Sequence, residues 1–170
     1  MLPVHPINTI FVNLINTHMI SPFNTKQEMI GKAQSLFDEG YACSQSVLLA
    51  YSSQFGLDEK AAKLISSTFG GGMGRLRQKC GAVTGGFMVL GLAFGNTDPK
   101  DMDTKLASYE KVQMLNSQVV AIHGTTICSE LLEKYSTEAE VLARNHHNVI
   151  CRRVVGEVAE LLYDMVGKPE

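Results

Sequence analysis

Cys43, Cys80, Cys128 and Cys151 are the only thiols in a chain of 170 residues. Four thiols offer two chemistries. They can oxidise reversibly in pairs, or they can hold a metal as thiolates, and both need the deprotonated sulfur. Four sulfurs suit tetrahedral zinc or an iron–sulfur cluster. No two stand in a Cys-x-x-Cys spacing, so neither a thioredoxin-type motif nor a zinc ribbon is signalled. They act together only if the fold gathers them from distant parts of the chain. The plain alternative is that each is a small apolar core residue, since cysteine is among the most buried residue types.

The elements that must position them read as helices. Thr25-Lys26-Gln27-Glu28 is a capping box, followed by a stripe of Met29, Ile30, Ala33, Leu36 and Phe37 that Gly40 ends. A second helix runs from Cys43 to Phe55, with Val47, Leu48 and Tyr51 inward and Gly56 as its stop. Asp58 caps a third, expected to turn Ala61, Leu64, Ile65 and Phe69 to the core. Cys80 opens a fourth that reaches Phe94. It is apolar all round and therefore central. Asp98-Pro99 is the expected start of a long fifth helix ending near Ile122. Thr126 is the expected cap of a short helix carrying Cys128, and Thr137 to Glu140 reads as another capping box. The last helix puts Cys151, Val154, Val155, Val158, Leu162 and Met165 on one face. No run alternates cleanly as a strand does. The expected fold is all-α, a bundle of about seven helices around the apolar helix that begins at Cys80.

On this reading all four cysteines sit at helix starts and point inward. A helix N-terminus favours an anion by about 0.3–1 kcal/mol. Arg75, Arg77 and Lys79 stand just before Cys80, which makes Cys80 the expected thiol of lowest pKa. Cys80 is then the attacking thiol and Cys43 its resolving partner. The glycine run before it supplies the candidate cofactor or anion contacts: Gly71, Gly72, Gly74 and Arg75, with Gly81 beyond. The run lacks the Gly-Lys-Ser/Thr ending of a phosphate-binding loop, and it follows no strand. Its plainest role is close backbone approach, which also fits Gly81 and Gly85 on one helix face. Among the histidines, His146 or His147 is a candidate addition to a cysteine metal site. His123 is a candidate partner for Cys128 in a Cys–His pair. No paired-carboxylate arrangement is present in the acidic residues.

Several stretches together resemble a known family. They are Gly40-Tyr41-Ala42-Cys43-Ser44-Gln45-Ser46-Val47, Phe69-Gly70-Gly71-Gly72-Met73-Gly74-Arg75, Cys80-Gly81-Ala82-Val83-Thr84-Gly85, Cys128-Ser129-Glu130-Leu131-Leu132, and Cys151. The chain is similar, from about Met29 to Met165, to the redox-active proteins named for a C_GCAxxG_C_C cysteine pattern. The label places Gly before Cys, whereas here Lys79 precedes Cys80 and Gly81 follows it. The resemblance implies that the four thiols act together in redox chemistry. It implies no substrate and no mechanism.

Composition narrows the rest. Net charge is −2 and 45% of residues are hydrophobic, so nothing draws the chain to nucleic acid. The longest apolar stretch, Ala82 to Phe94, is too short to span a bilayer. Residues 25–170 read as a single helical domain. Residues 1–24 read as an extension: a docking arm, an extra helix or an over-extended translation start, with Met19 and Met29 as alternative starts. No Lys or Arg precedes Lys26, so the positive region of a secretory signal is missing. A cytoplasmic protein with reduced thiols is expected. Three functions remain open. The first is a thiol redox protein, an oxidoreductase with an unknown redox partner. The second is a zinc or iron–sulfur protein using all four cysteines, and the third a helical module without catalysis. The first and third need no cofactor, and apolar helices at both ends are compatible with a homodimer.

Overall fold

The computed structural model describes residues 25–144 and 146–167, the side chains of His146 and His147 excepted. The expectations for residues 1–24 and for the two histidines lie outside the described residues. Among those described, every regular element is a helix: α1 Lys26–Asp38, α2 Cys43–Ser52, α3 Glu59–Ser67, α4 Gly70–Met73, α5 Gly81–Phe94, α6 Met102–His123, α7 Cys128–Lys134, α8 Ala139–Ala143 and α9 His146–Val166. A short 3-10 turn, Ser53–Phe55, prolongs α2. The all-α expectation is met. Among the described residues, the only pairing of extended backbone is an isolated antiparallel bridge between Lys79 and Ile127.

Helix α5 is the axis of the bundle, as its unbroken apolarity requires. Residues Gly81 to Gly86, Val89 and Leu90 are all buried. Around it stand Val47, Leu48 and Tyr51 from α2, Leu115 and Val119 from α6, and Val154, Val155, Val158 and Leu162 from α9. Helix α1 lies antiparallel along α9, held at one end by Lys26–Asp164 at 2.8 Å and at the other by Arg152–Asp38 at 2.9 Å. Its capping box forms as read, with the Thr25 hydroxyl accepting from Glu28 N–H and the Glu28 carboxylate accepting from Thr25 N–H. Deep in the core the Tyr51 hydroxyl donates to the Ala159 carbonyl at 2.6 Å, tying α2 to α9.

Three local expectations are corrected. Helix α3 is turned from its expected phase: Leu64 and Ile65 are 64% and 54% exposed, while Ala62 and Ser66 are buried. Small residues win this face because α2 comes close enough for Ser44 Oγ to donate to the Ser66 carbonyl at 2.7 Å. Helix α6 begins at Met102 under an Asp101 cap, whose carboxylate accepts from Thr104 N–H. Asp98 instead closes a turn, accepting from the Lys100 and Asp101 N–H groups. Glu138, not Thr137, precedes α8, without a side-chain cap.

The α2–α5 contact depends on missing side chains. A Cβ added at Gly85 would stand 2.6 Å from the Ser44 carbonyl oxygen, whereas one at Gly91 would meet nothing within 4 Å. Gly85→Ala should therefore destabilise the fold by about 1–3 kcal/mol through overpacking. Gly91→Ala, on the exposed side of the same helix, should stabilise it by about 0.5–1 kcal/mol by lowering unfolded-chain entropy. Urea unfolding of both variants checks the opposite signs.

Candidate functional site

The bundle brings all four cysteines to one end, and all four are free thiols. Cys43 is the first residue of α2, Cys80 the N-cap of α5 and Cys128 the first residue of α7, as expected. Cys151 is the exception. It lies more than a turn inside α9, whose first residue is His146. Cys43, Cys80 and Cys128 are buried, and Cys151 is half-buried.

Glycines let these backbones meet. A Cβ at Gly81 would stand 3.2 Å from the Cys43 Cβ, one at Gly72 only 2.6 Å from the Cys128 Cβ, and one at Gly70 only 2.5 Å from the Ala42 Cβ. Gly72 also needs its left-handed backbone (φ 70°) to turn the chain beneath Cys128. The candidate contacts thus divide. Gly72 and Gly81 pack directly against thiol-bearing residues. Gly71, Gly74 and Arg75 line an open cleft of about 800 Å³, whose wall includes Cys43 and Cys151.

Cys80 and Cys128 are set by backbone. Cys80 N–H donates to the Thr126 carbonyl at 2.8 Å, and Cys128 N–H to the Gln78 carbonyl at 2.6 Å, one on each side of the Lys79–Ile127 bridge. Their side chains line a small, mainly apolar cavity of about 10 Å³ together with Cys151 and Leu131. Thr126 does not cap α7. Its hydroxyl instead accepts from the Lys79 ammonium at 2.6 Å, beside Asn116 Oδ1 at 3.0 Å from the same nitrogen. This Lys79–Thr126–Asn116 cluster ties the cysteine loops to α6. Composition gave no sign of it, because its members only become neighbours once α6 lies alongside α5.

The electrostatics overturn the expected order of thiol acidity. Burial pushes the Cys80 thiol up to about 12, although the Val83 and Ala82 amides at the α5 start pull the other way. Cys128 is also raised by burial, partly offset by Arg77, whose Nη1 lies 3.8 Å from Sγ. Cys43 is raised, first by the neighbouring Cys151 thiol and then by burial, with the other two thiols adding smaller effects. Cys151 alone is lowered: the neighbouring Cys43 thiol favours its thiolate, burial opposes this, and Arg77 adds positive charge nearby. The basic run therefore does not serve Cys80. Lys79 turns to α6 and Arg77 to Cys128 and Cys151.

His123 is not a Cys–His partner. It is 2% exposed, and both ring nitrogens are taken, Nδ1 by Tyr135 Oη at 2.7 Å and Nε2 by Glu157 Oε2 at 2.7 Å. It fastens the end of α6 to α9. Among the described residues, no group of three or more His, Cys, Asp or Glu side chains is arranged to hold a metal ion. No described helix is long and apolar enough to cross a membrane.

A helical bundle that collects four free thiols over glycine turns defines a class of multi-cysteine α-proteins. Within it, the chain belongs to the family described as "Putative redox-active protein (C_GCAxxG_C_C)", whose model matches residues 41–165. The resemblance read from the cysteine and glycine pattern is thereby shown. No curated protein and no solved structure matches the chain.

Alkylation separates the four thiols. Cys151, lowered and half-buried, should react first with iodoacetamide at neutral pH, with a rate that levels off below the ordinary thiol range. Cys80 labelling should lag behind it and should keep rising about tenfold per pH unit through the mildly alkaline range, because its thiolate is scarce there. Mass spectrometry of timed, pH-stepped samples reads both.

Proposed function

We propose that the cluster is a thiol–disulfide redox centre in which Cys43 and Cys151 are the exchanging pair. One arrangement carries this reading: Cys43 and Cys151 line the same open cleft, where the two neighbouring thiols act on each other so that Cys151 is lowered and Cys43 raised. Cys151 is then the nucleophile, in place of Cys80, and Cys43 the resolving thiol.

The Cys151 thiolate attacks one sulfur of a disulfide. That S–S bond breaks, the first product departs as a thiolate, and Cys151 is left in a mixed disulfide. Cys43 gives up its proton, attacks Cys151 Sγ and displaces the second product. Two protein thiols become one disulfide. The two electrons and two protons leave on two product thiols. The same steps run backwards when the protein acts as oxidant.

Cys80 and Cys128 form a second, shielded pair. Cys151 lines one cavity with both, so a disulfide formed at Cys151 can pass inward by exchange. Burial keeps both thiols protonated at rest, which protects them from direct oxidation by solvent species. The reading calls for a compartment where free thiols persist, as in the cytoplasm.

Thiol trapping across a glutathione redox series, followed by peptide mapping, tests it. The first disulfide to appear should join Cys43 to Cys151. In Cys43→Ala, Cys151 should stop at a mixed disulfide with glutathione, and its alkylation at neutral pH should slow several-fold because the neighbouring thiol that lowers it is gone. Cys43→Ser, which keeps a hydroxyl there, should slow less. Absence of paired oxidation at biological potentials overturns the reading. So does stoichiometric iron or zinc in anaerobically prepared protein.

A further inference from the structure

The cleft beside the thiol pair has a one-sided charge. Among the described residues, its charged lining residues are Arg75 and Arg77, and no carboxylate is among them. Neither guanidinium forms an ion pair among the described residues, although Arg and Lys elsewhere on the surface do so at both ends of α9. Arg77 spends one nitrogen on Cys128 Sγ at 3.8 Å, which leaves most of its donors free.

The backbone is strained to hold these two side chains there. Met73, Arg75 and Arg77 adopt left-handed conformations at φ 64°, 69° and 61°, an arrangement that costs non-glycine residues about 1 kcal/mol or more each. Gly71 keeps the path clear: a Cβ there would stand 3.1 Å from Arg75 Cγ. Two unpaired guanidinia, positioned by strained backbone on the wall shared with Cys43 and Cys151, are suited to anionic groups flanking a disulfide.

Size points the same way. Cys151, the attacking thiol, is half-buried on the cleft wall, and Cys43 behind it is buried, so the disulfide is met from the cleft. A cleft of about 800 Å³ accommodates a small molecule. A disulfide lodged on a flat protein surface does not enter it. We infer that the substrate of the pair is an anionic low-molecular-weight disulfide, with carboxylate or phosphate groups near its sulfurs bound by Arg75 and Arg77. This inference rests on the exchange reading above. The reaction is the one already balanced: the substrate gains two electrons and two protons as two small thiols, and Cys43 and Cys151 become a disulfide.

The experiment follows oxidation of the fully reduced protein by four disulfides: glutathione disulfide for carboxylates, coenzyme A disulfide for phosphates, neutral hydroxyethyl disulfide and cationic cystamine. Mapped Cys43–Cys151 disulfide is the readout. At low salt one or both anionic compounds should react about tenfold or more faster than the neutral one, with cystamine slowest. That advantage should shrink as ionic strength rises. In Arg75→Ala the anionic-to-neutral rate ratio should fall toward one. Arg75→Lys, which keeps the charge but not the fork, should hold part of it. The salt series on the unaltered protein serves the same purpose if Arg75→Ala does not fold. Equal rates for anionic and neutral disulfides, with the Cys43–Cys151 bond still forming, overturn the inference and leave the exchange reading standing. Failure of all four compounds to form that bond overturns both.

Discussion

The whole site depends on how closely the N-terminal ends of α2 and α5 approach. Gly85 faces the Ser44 carbonyl and Gly70 faces Ala42, each at a distance no side chain allows, and Gly81 faces the Cys43 Cβ at a distance that would force the neighbour to give. Every such glycine in a helix is given up at about 0.5–1 kcal/mol against alanine. Overpacking at the same places costs more, about 1–3 kcal/mol. The balance favours glycine, and the close contact follows. With it come Cys43 and Cys80, two thiols from segments far apart in the chain. Gly72 does the same for Cys128 from the α4 turn. Cys151 then needs only the ordinary packing of α9 against α1 and α5 to complete the set.

Once gathered, the thiols compete for protons under unequal burial. A helix start favours an anion by about 0.3–1 kcal/mol. Full burial of a sulfur anion opposes this with a larger penalty, and at Cys80 burial prevails even with two amides facing the thiol. At Cys151 burial is incomplete, the neighbouring Cys43 thiol favours the thiolate, and Arg77 adds charge. The same cluster thus contains a thiol prepared to ionise and three that are not. Exposure separates them, since Cys151 is half-buried and the other three are buried.

Much of this was legible in the residues. The capping box at Thr25, the glycine stops and the apolar run from Ala82 to Phe94 determine their elements locally, so pattern alone finds them. The cysteine–glycine spacing also marked residues that the fold brings together at the candidate site. What escaped is set by neighbours distant in sequence. The phase of α3 depends on how near α2 comes, which periodicity within α3 cannot register. Asp98 and Asp101 are both good caps by type, and only the turn through Pro99 selects between them. The acidity order failed for a like reason: the basic run before Cys80 is adjacent to it in sequence, but its side chains face other partners. His123 looked available beside Cys128 until Tyr135 and Glu157 closed on its ring.

Three basic side chains within five residues therefore divide three tasks. Lys79 is anchored to Thr126 and Asn116, so its charge is satisfied by neutral oxygens and it fixes the loops that carry Cys80 and Cys128. Arg77 stands between structure and chemistry, touching Cys128 and stabilising charge at Cys151. Arg75 is exposed and unpaired at the cleft. The order runs from half-buried and anchored to exposed and free of ion pairs among the described residues, parallel to the order of the thiols from Cys80 to Cys151. A helical framework that fixes one end of this series and leaves the other free can hold its sulfurs in place while still admitting a reactant.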